Sequence, residues 1–347
     1  MSHNILITGA SGYLGGTLLA RWASAGLPAY RKLFALVRKP EQGETVKQYG
    51  AEPLAINLKE ESEIRSAIID NEISIIFFLI DAMTSEAQLP MIKALAEVKK
   101  RTGKDVHFLH TSGAKLFSSH AGVPTDKTLR DDDPQLYNIQ KSAKPQIPVV
   151  QPALDTNNIV IETAEAYGVH SYIFIPCVVY GQGEGFGNPI SIQTVAIVKA
   201  AKGAGQVFQP DEDGYIWPVC HVVDNARLYL EILRSILLAK EIAHGRNGYY
   251  LASSGSIAWN ELYRAMAKGL FKRGAITTED VKAADDIALR KMGEALGSPK
   301  ELVRLQLGGN CTLEARNALK LGWSPQFTAQ HALEAADEEV ELILKSI

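Results

Sequence analysis

Gly9, Gly12 and Gly15 recur at three-residue intervals in Thr8-Gly9-Ala10-Ser11-Gly12-Tyr13-Leu14-Gly15, directly after the apolar run Ile5-Leu6-Ile7. Those residue types in that order suit the binding of a pyrophosphate. The apolar run reads as a buried parallel strand, and Gly9 lets the chain turn tightly into a helix. Gly12 admits backbone close to the phosphates, and Gly15 lets the helix pack closely on the strand. An apolar helix follows through Leu14, Leu18, Leu19 and Trp22, and its first N–H groups have no intrahelical partner. Gly9, Ser11, Gly12, Tyr13, Leu14 and Gly15 are therefore expected to cradle a dinucleotide.

The end of the next strand reads Leu36-Val37-Arg38-Lys39-Pro40. It lacks the acid that usually meets the ribose hydroxyls of an unphosphorylated dinucleotide. Two adjacent cations suit a 2′-phosphate instead, with Arg38 able to bind it bidentately and stack on adenine beside Lys39. NADP(H) is the expected cofactor.

These groups need a scaffold that brings strand ends together. Strand patterns at residues 4–8, 33–38, 51–56, 74–80 and 106–110 alternate with helical patterns after the glycine turn and at 61–70 and 89–102. The alternation predicts an α/β fold, a Rossmann-like doubly wound parallel sheet with ligands at the carboxyl ends of its strands. Residues 116–152 interrupt it with Asp131-Asp132-Asp133 and with Pro124, Pro134, Pro145, Pro148 and Pro152, and read as loop or lid. Helix resumes over 153–167, a strand follows at 172–175, and helices are expected at 193–201, at 225–240 and through the tail. Residues 1–182, joined by 216–252, are expected to form the dinucleotide-binding domain. Residues 183–215 and 253–347 would form a smaller, mainly helical C-terminal substrate lobe.

A chain of 347 residues, 46% hydrophobic, can bury a large core, and a net charge of −3 implies neither nucleic-acid nor membrane-surface binding. Cys177, Cys220 and Cys311 have no metal-like spacing and read as reduced thiols. Asp211-Glu212-Asp213-Gly214 reads as a solvated turn, and no metal is expected. The first strand begins within five residues and the most apolar run, 73–80, is too short to span a bilayer. A soluble, cytoplasmic protein is expected, as monomer or homodimer, with a small-molecule substrate.

The glycine spacing resembles the short-chain dehydrogenase/reductase superfamily, in its extended and atypical, epimerase/dehydratase-like branches. Further stations carry the resemblance: Asn57-Leu58, Thr111-Ser112-Gly113-Ala114, Pro176-x-x-x-Tyr180-Gly181-Gln182-Gly183, His221-Val222-Val223-Asp224 and Leu321-Gly322-Trp323-Ser324-Pro325. It implies that Asn57, with Leu58, meets the adenine, that Ile80 and Asp81 line the adenosine ribose and diphosphate, and that Pro176 presents backbone to the carboxamide. The loop 181–185 could close over substrate, His110 and His221 are expected to serve packing or structure more than chemistry, and Tyr180 is expected near the nicotinamide, where it could equally wall the pocket.

The resemblance also implies a Ser or Thr after the fifth strand and a Tyr-x-x-x-Lys pair on the next helix, where lysine lowers the tyrosine pKa and tyrosine moves the substrate proton. Two registers compete. Tyr137-Asn138-Ile139-Gln140-Lys141 has the right types and spacing, but prolines stop any helix soon after it. Counting back from Glu162, the slots fall on Leu154 and Asn158, of which Asn158 could still bond a ribose. Ser112 or Gly113 takes the serine slot. Ser112, Tyr137 and ordered water remain the proton donors to consider.

The reading favoured is an NADP(H)-dependent oxidoreductase acting on a small carbonyl, alcohol or related unsaturated group. Two rivals stand beside it: an epimerase, dehydratase or isomerase with internal hydride return, and a non-catalytic NADP-binding sensor or scaffold.

Overall fold

The structure is a computed structural model and describes residues 2–347. Six strands of the first half, β1 (Asn4–Ile7), β2 (Lys32–Leu36), β3 (Glu52–Leu54), β4 (Ile73–Phe78), β5 (His107–Thr111) and β6 (His170–Pro176), lie in one sheet. Two strands beyond it, β7 (Val178–Tyr180) and β8 (Ile216–His221), pair with each other. The chain then returns to the large sheet as β9 (Tyr249–Ala252) and leaves it again as β10 (Ser256–Ala258). The large sheet runs β9-β6-β5-β4-β1-β2-β3, every pair parallel. β1 and β4 are buried along their whole lengths, as strands covered on both faces must be.

Helices α1 (Tyr13–Trp22), α2 (Pro40–Gln48), α3 (Glu61–Asp70), α4 (Gln88–Thr102), α5 (Leu136–Lys141) and α6 (Gln151–Tyr167) belong to this half. The second lobe is built from α7 (Gln193–Ala204), α9 (Trp259–Lys272), α10 (Asp286–Leu296) and the C-terminal α11 (Ala336–Ser346), while α8 (Val222–Leu237) returns to pack against α1. The doubly wound sheet and helical second lobe match the sequence expectation. The boundaries shift by a few residues, β2 and β4 both ending two residues early.

The segment read as irregular is not wholly so. It contains α5, six residues long, and Pro152 stands in the first turn of α6, where a missing N–H costs nothing. Buried Asp131 anchors the segment by accepting N–H bonds from Leu251 (3.0 Å), Arg316 (2.6 Å) and Asn317 (2.8 Å). Asp132 pairs with Arg130 and Lys320, and Asp133 caps the backbone at Gln135. The acidic run is thus a clasp holding the insertion against β9 and the C-terminal segment.

Candidate functional site

The glycine turn follows β1 as its spacing requires. Gly9 takes the left-handed conformation at φ +70°, and the Gly12 N–H donates to the Gly9 carbonyl at 2.8 Å. A Cβ on Gly15 would stand 2.3 Å from that same oxygen, so only glycine lets α1 approach the turn this closely. Thr8 braces the turn by accepting the Leu79 N–H on its hydroxyl at 2.8 Å. No side chain caps α1 and no acid lies in its first turn, so the N–H groups of Tyr13 and Leu14 remain available to an anion. The Tyr13 side chain looks elsewhere, donating to the Gly181 carbonyl at 2.6 Å.

Arg38 and Lys39 are exposed and form no ion pair among the described residues; nearby Glu52 and Glu44 go to Lys32 and Lys47. Gln42 ties this corner to the glycine turn. Its Oε1 accepts the Arg38 and Lys39 N–H groups at 3.0 and 3.3 Å, and its Nε2 donates to Ser11 Oγ at 3.2 Å. Asn57 is exposed, with its Oδ1 accepting the Lys59 N–H, and Leu58 is half-buried beside it. Ile80 is exposed after β4, while the Asp81 carboxylate orders its own turn through Met83 N–H and Thr84 Oγ1. Pro176 ends β6, paired with Ala252.

The two registers for the tyrosine and lysine are both present in space. Tyr137 and Lys141 lie on α5, where the Tyr137 hydroxyl donates to Glu162 Oε1 at 2.5 Å and Lys141 pairs with the same carboxylate. Arg246 stacks over the Tyr137 ring at 5.0 Å. Desolvation and Glu162 push the Tyr137 pKa up, not down. On α6 the corresponding slots hold buried Leu154 and Asn158, whose Oδ1 accepts from Gln140 Nε2 at 2.9 Å. Gln140 also accepts from Asn157 and from Tyr249 on β9, so a polar network welds α5 to α6.

Ser112 hangs from β6 through its N–H to the Phe174 carbonyl at 2.8 Å, and its buried hydroxyl has no partner. Next to it Thr111 shares a 2.8 Å bond with the hydroxyl of buried Tyr229. His110 is wholly buried against Phe78, and desolvation holds its pKa down to about 4. Tyr180 lies 3.1 Å from His331 Nδ1, and His221 caps α8 through the Val223 N–H while packing on Phe327. Asp224 accepts the N–H groups of Gln326 and Phe327 at 2.9 and 3.0 Å, which makes it a backbone brace. Asp211 accepts the Gly309 N–H at 2.5 Å. Among the described residues no group of three His, Cys, Asp or Glu could hold a metal, and no helix is long and apolar enough to cross a membrane.

Residues 5–242 match the NAD dependent epimerase/dehydratase family. The chain belongs to that family. The oxidase ucsJ of Acremonium sp. is 23% identical over 356 residues, covering 94% of this chain and 93% of its own. A UDP-glucose 4-epimerase from Thermotoga maritima, solved with UDP-glucose, superposes with a TM-score of 0.62 at 16% identity over 99% of both chains. Vestitone reductase from alfalfa superposes at 0.61, also at 16% identity, over 99% of this chain and 98% of its own. At such identities these structures share the fold.

Two features of this family member escaped the sequence reading. The first is Lys115, three residues past Ser112, where the signal was a lone cation just after a core strand. The second is where the loop 181–188 lies. Residues 181–185 read as a flexible loop able to close over substrate, yet the loop is laid along α1: Glu184 N–H meets Thr17 Oγ1 at 3.1 Å, Asn188 N–H meets the Ser11 carbonyl at 3.0 Å, and Arg21 grips the Glu184 carboxylate through two 2.6 Å bonds. The buried Glu339 carboxylate holds its start by accepting the Gly181 N–H at 2.8 Å.

Proposed function

We propose that this family member is an NADP(H)-dependent oxidoreductase acting on a small carbonyl, alcohol or related unsaturated compound. The observation that carries the cofactor choice is the unpaired Arg38 and Lys39 pair, tied through Gln42 to Ser11 of the glycine turn. A 2′-phosphate would sit between these cations, with the pyrophosphate on the N–H groups opening α1. Asn57 and Leu58 would flank the adenine, Ile80 and Asp81 the adenosine ribose, and Pro176 the carboxamide. Bound there, the cofactor supplies or removes hydride at a substrate carbon. Asn158 is already bonded to Gln140, which leaves it little to offer a ribose.

A second reading, a protein that binds the cofactor without chemistry, is favoured by the commitment of Tyr137 and Lys141 to Glu162. Fluorescence titration with NADP+, NADPH and NADH, followed by turnover with a panel of carbonyl compounds, tests both. Tighter binding of NADPH with carbonyl-dependent oxidation supports the oxidoreductase. Equal affinity for NADP+ and NADPH without turnover installs the second reading, and preference for NADH removes the cofactor assignment.

A further inference from the structure

The turn after β5 carries an amine with nothing to hold it. Lys115 is half-buried, between the buried Ala114 and the buried Leu116 and Phe117, and its Nζ makes no ion pair or hydrogen bond with any described residue. No carboxylate offsets its charge, and burial alone pushes its pKa down to about 8. The second lobe closes on the same turn. His120 Nε2 lies 3.0 Å from the Gly308 carbonyl oxygen, and Cys311 Sγ reaches the carbonyls of Ala114 and Phe117 at 3.6 and 3.5 Å. The turn that carries Lys115 therefore lies where the carboxyl end of the sheet meets the second lobe, the place at which doubly wound folds bind their ligands. Ser112, with its unpartnered hydroxyl, is three residues away.

Resting on the oxidoreductase reading above, we propose that Lys115 is the proton-transfer residue of this chain, in place of the tyrosine that α6 lacks. In the reducing direction the reductant is the reduced nicotinamide cofactor. The carbonyl carbon gains hydride, the C=O π pair moves onto oxygen, and an O–H bond forms there as an N–H bond of the Lys115 ammonium breaks. The carbonyl is reduced to an alcohol, the amine is left neutral, and water returns its proton. Alcohol oxidation reverses these steps. A lysine titrating near the working pH is suited to both directions, whereas an arginine, protonated throughout, is not.

Acetylation of the intact protein with acetic anhydride from pH 6.5 to 10.5, read by peptide mass spectrometry, reports the amine directly. Lys115 should show a midpoint near 8, against about 10.4 for exposed lysines; a midpoint shared with the exposed lysines overturns the proposal. With 9,10-phenanthrenequinone and NADPH as probes, Lys115→Met should lower kcat by about 10²- to 10⁴-fold, and Lys115→Arg, which keeps the charge, should be equally impaired. NADPH titration and thermal melting of both variants separate loss of proton transfer from loss of fold or cofactor. Full activity in Lys115→Arg overturns the proposal, as does an active wild type matched by Lys115→Met. A wild type that binds NADPH yet reduces no carbonyl is a different result, and it overturns the oxidoreductase reading itself.

Discussion

The Tyr137 hydroxyl donates to Glu162 Oε1 at 2.5 Å, across the α5–α6 interface, and Lys141 meets the same carboxylate. A Tyr-x-x-x-Lys pair thus works here as a tether between two helices. Tyr137→Phe should cost about 1.5 kcal/mol of stability, the low end for a hydrogen bond to a charged group, and leave NADPH oxidation within twofold of wild type. Thermal melting and steady-state kinetics check both halves. A loss of 100-fold in kcat with an unchanged melting temperature would restore Tyr137 as the acid.

Arg38 is exposed with no ion pair among the described residues, and its backbone N–H donates to Gln42, which also reaches Ser11 of the glycine turn. Arg38→Ala should weaken NADPH binding by about 10- to 100-fold, as expected for losing a charged hydrogen bond of 1.5–3 kcal/mol. NADH binding should be unchanged. Fluorescence titration decides this, and equal weakening of both cofactors would point to a general packing role.

The loop 181–188 packs backbone to backbone on α1. A Cβ on Gly185 would lie 2.4 Å from the Gly16 Cα, so Gly185→Ala must displace the loop or the helix. The expected cost is about 1–3 kcal/mol, the range for overpacking, together with faster proteolysis within residues 181–188. Melting and limited chymotrypsin digestion at Phe186 report the two effects. A variant as stable and as resistant as wild type would show that the loop is not docked on α1 in solution.

His110 supplies a pH dependence. Its folded pKa is held near 4 by desolvation, below the roughly 6.5 of an unfolded histidine. The unfolded chain therefore binds the proton first, and stability is complete above about pH 6.5 and lost as pH falls from there toward 4. At pH 5 the loss from this residue is about 2 kcal/mol. Buried His107 and half-buried His170 are also pushed down by desolvation and act in the same direction. His110→Leu should shrink the stability difference between pH 7.5 and pH 5 by that amount, measured by urea unfolding at each pH. An unchanged difference would rule out His110 as a contributor.

The dinucleotide half was legible because its signals are local. The apolar run before Gly9, the three glycines and the strand-helix alternation each depend on neighbours within a few residues, and period and turn chemistry dictate them. The absence of an acid at Arg38-Lys39 is equally a local fact. The competition between Tyr137 and Leu154 was visible too, but not its outcome, because the sequence could not say that Gln140 welds α5 to α6 through Asn157, Asn158 and Tyr249. Lys115 was passed over for the same reason: whether an amine is exposed or stranded beneath a second lobe depends on residues such as Gly308 and Cys311, nearly two hundred positions on. Residues 181–185 looked free by composition, yet Arg21 and Ser11 hold the loop they open. Pattern along the chain determined which elements form and where the glycine turn lies. Only long-range packing decided which polar groups were already spent on one another and which were left for chemistry.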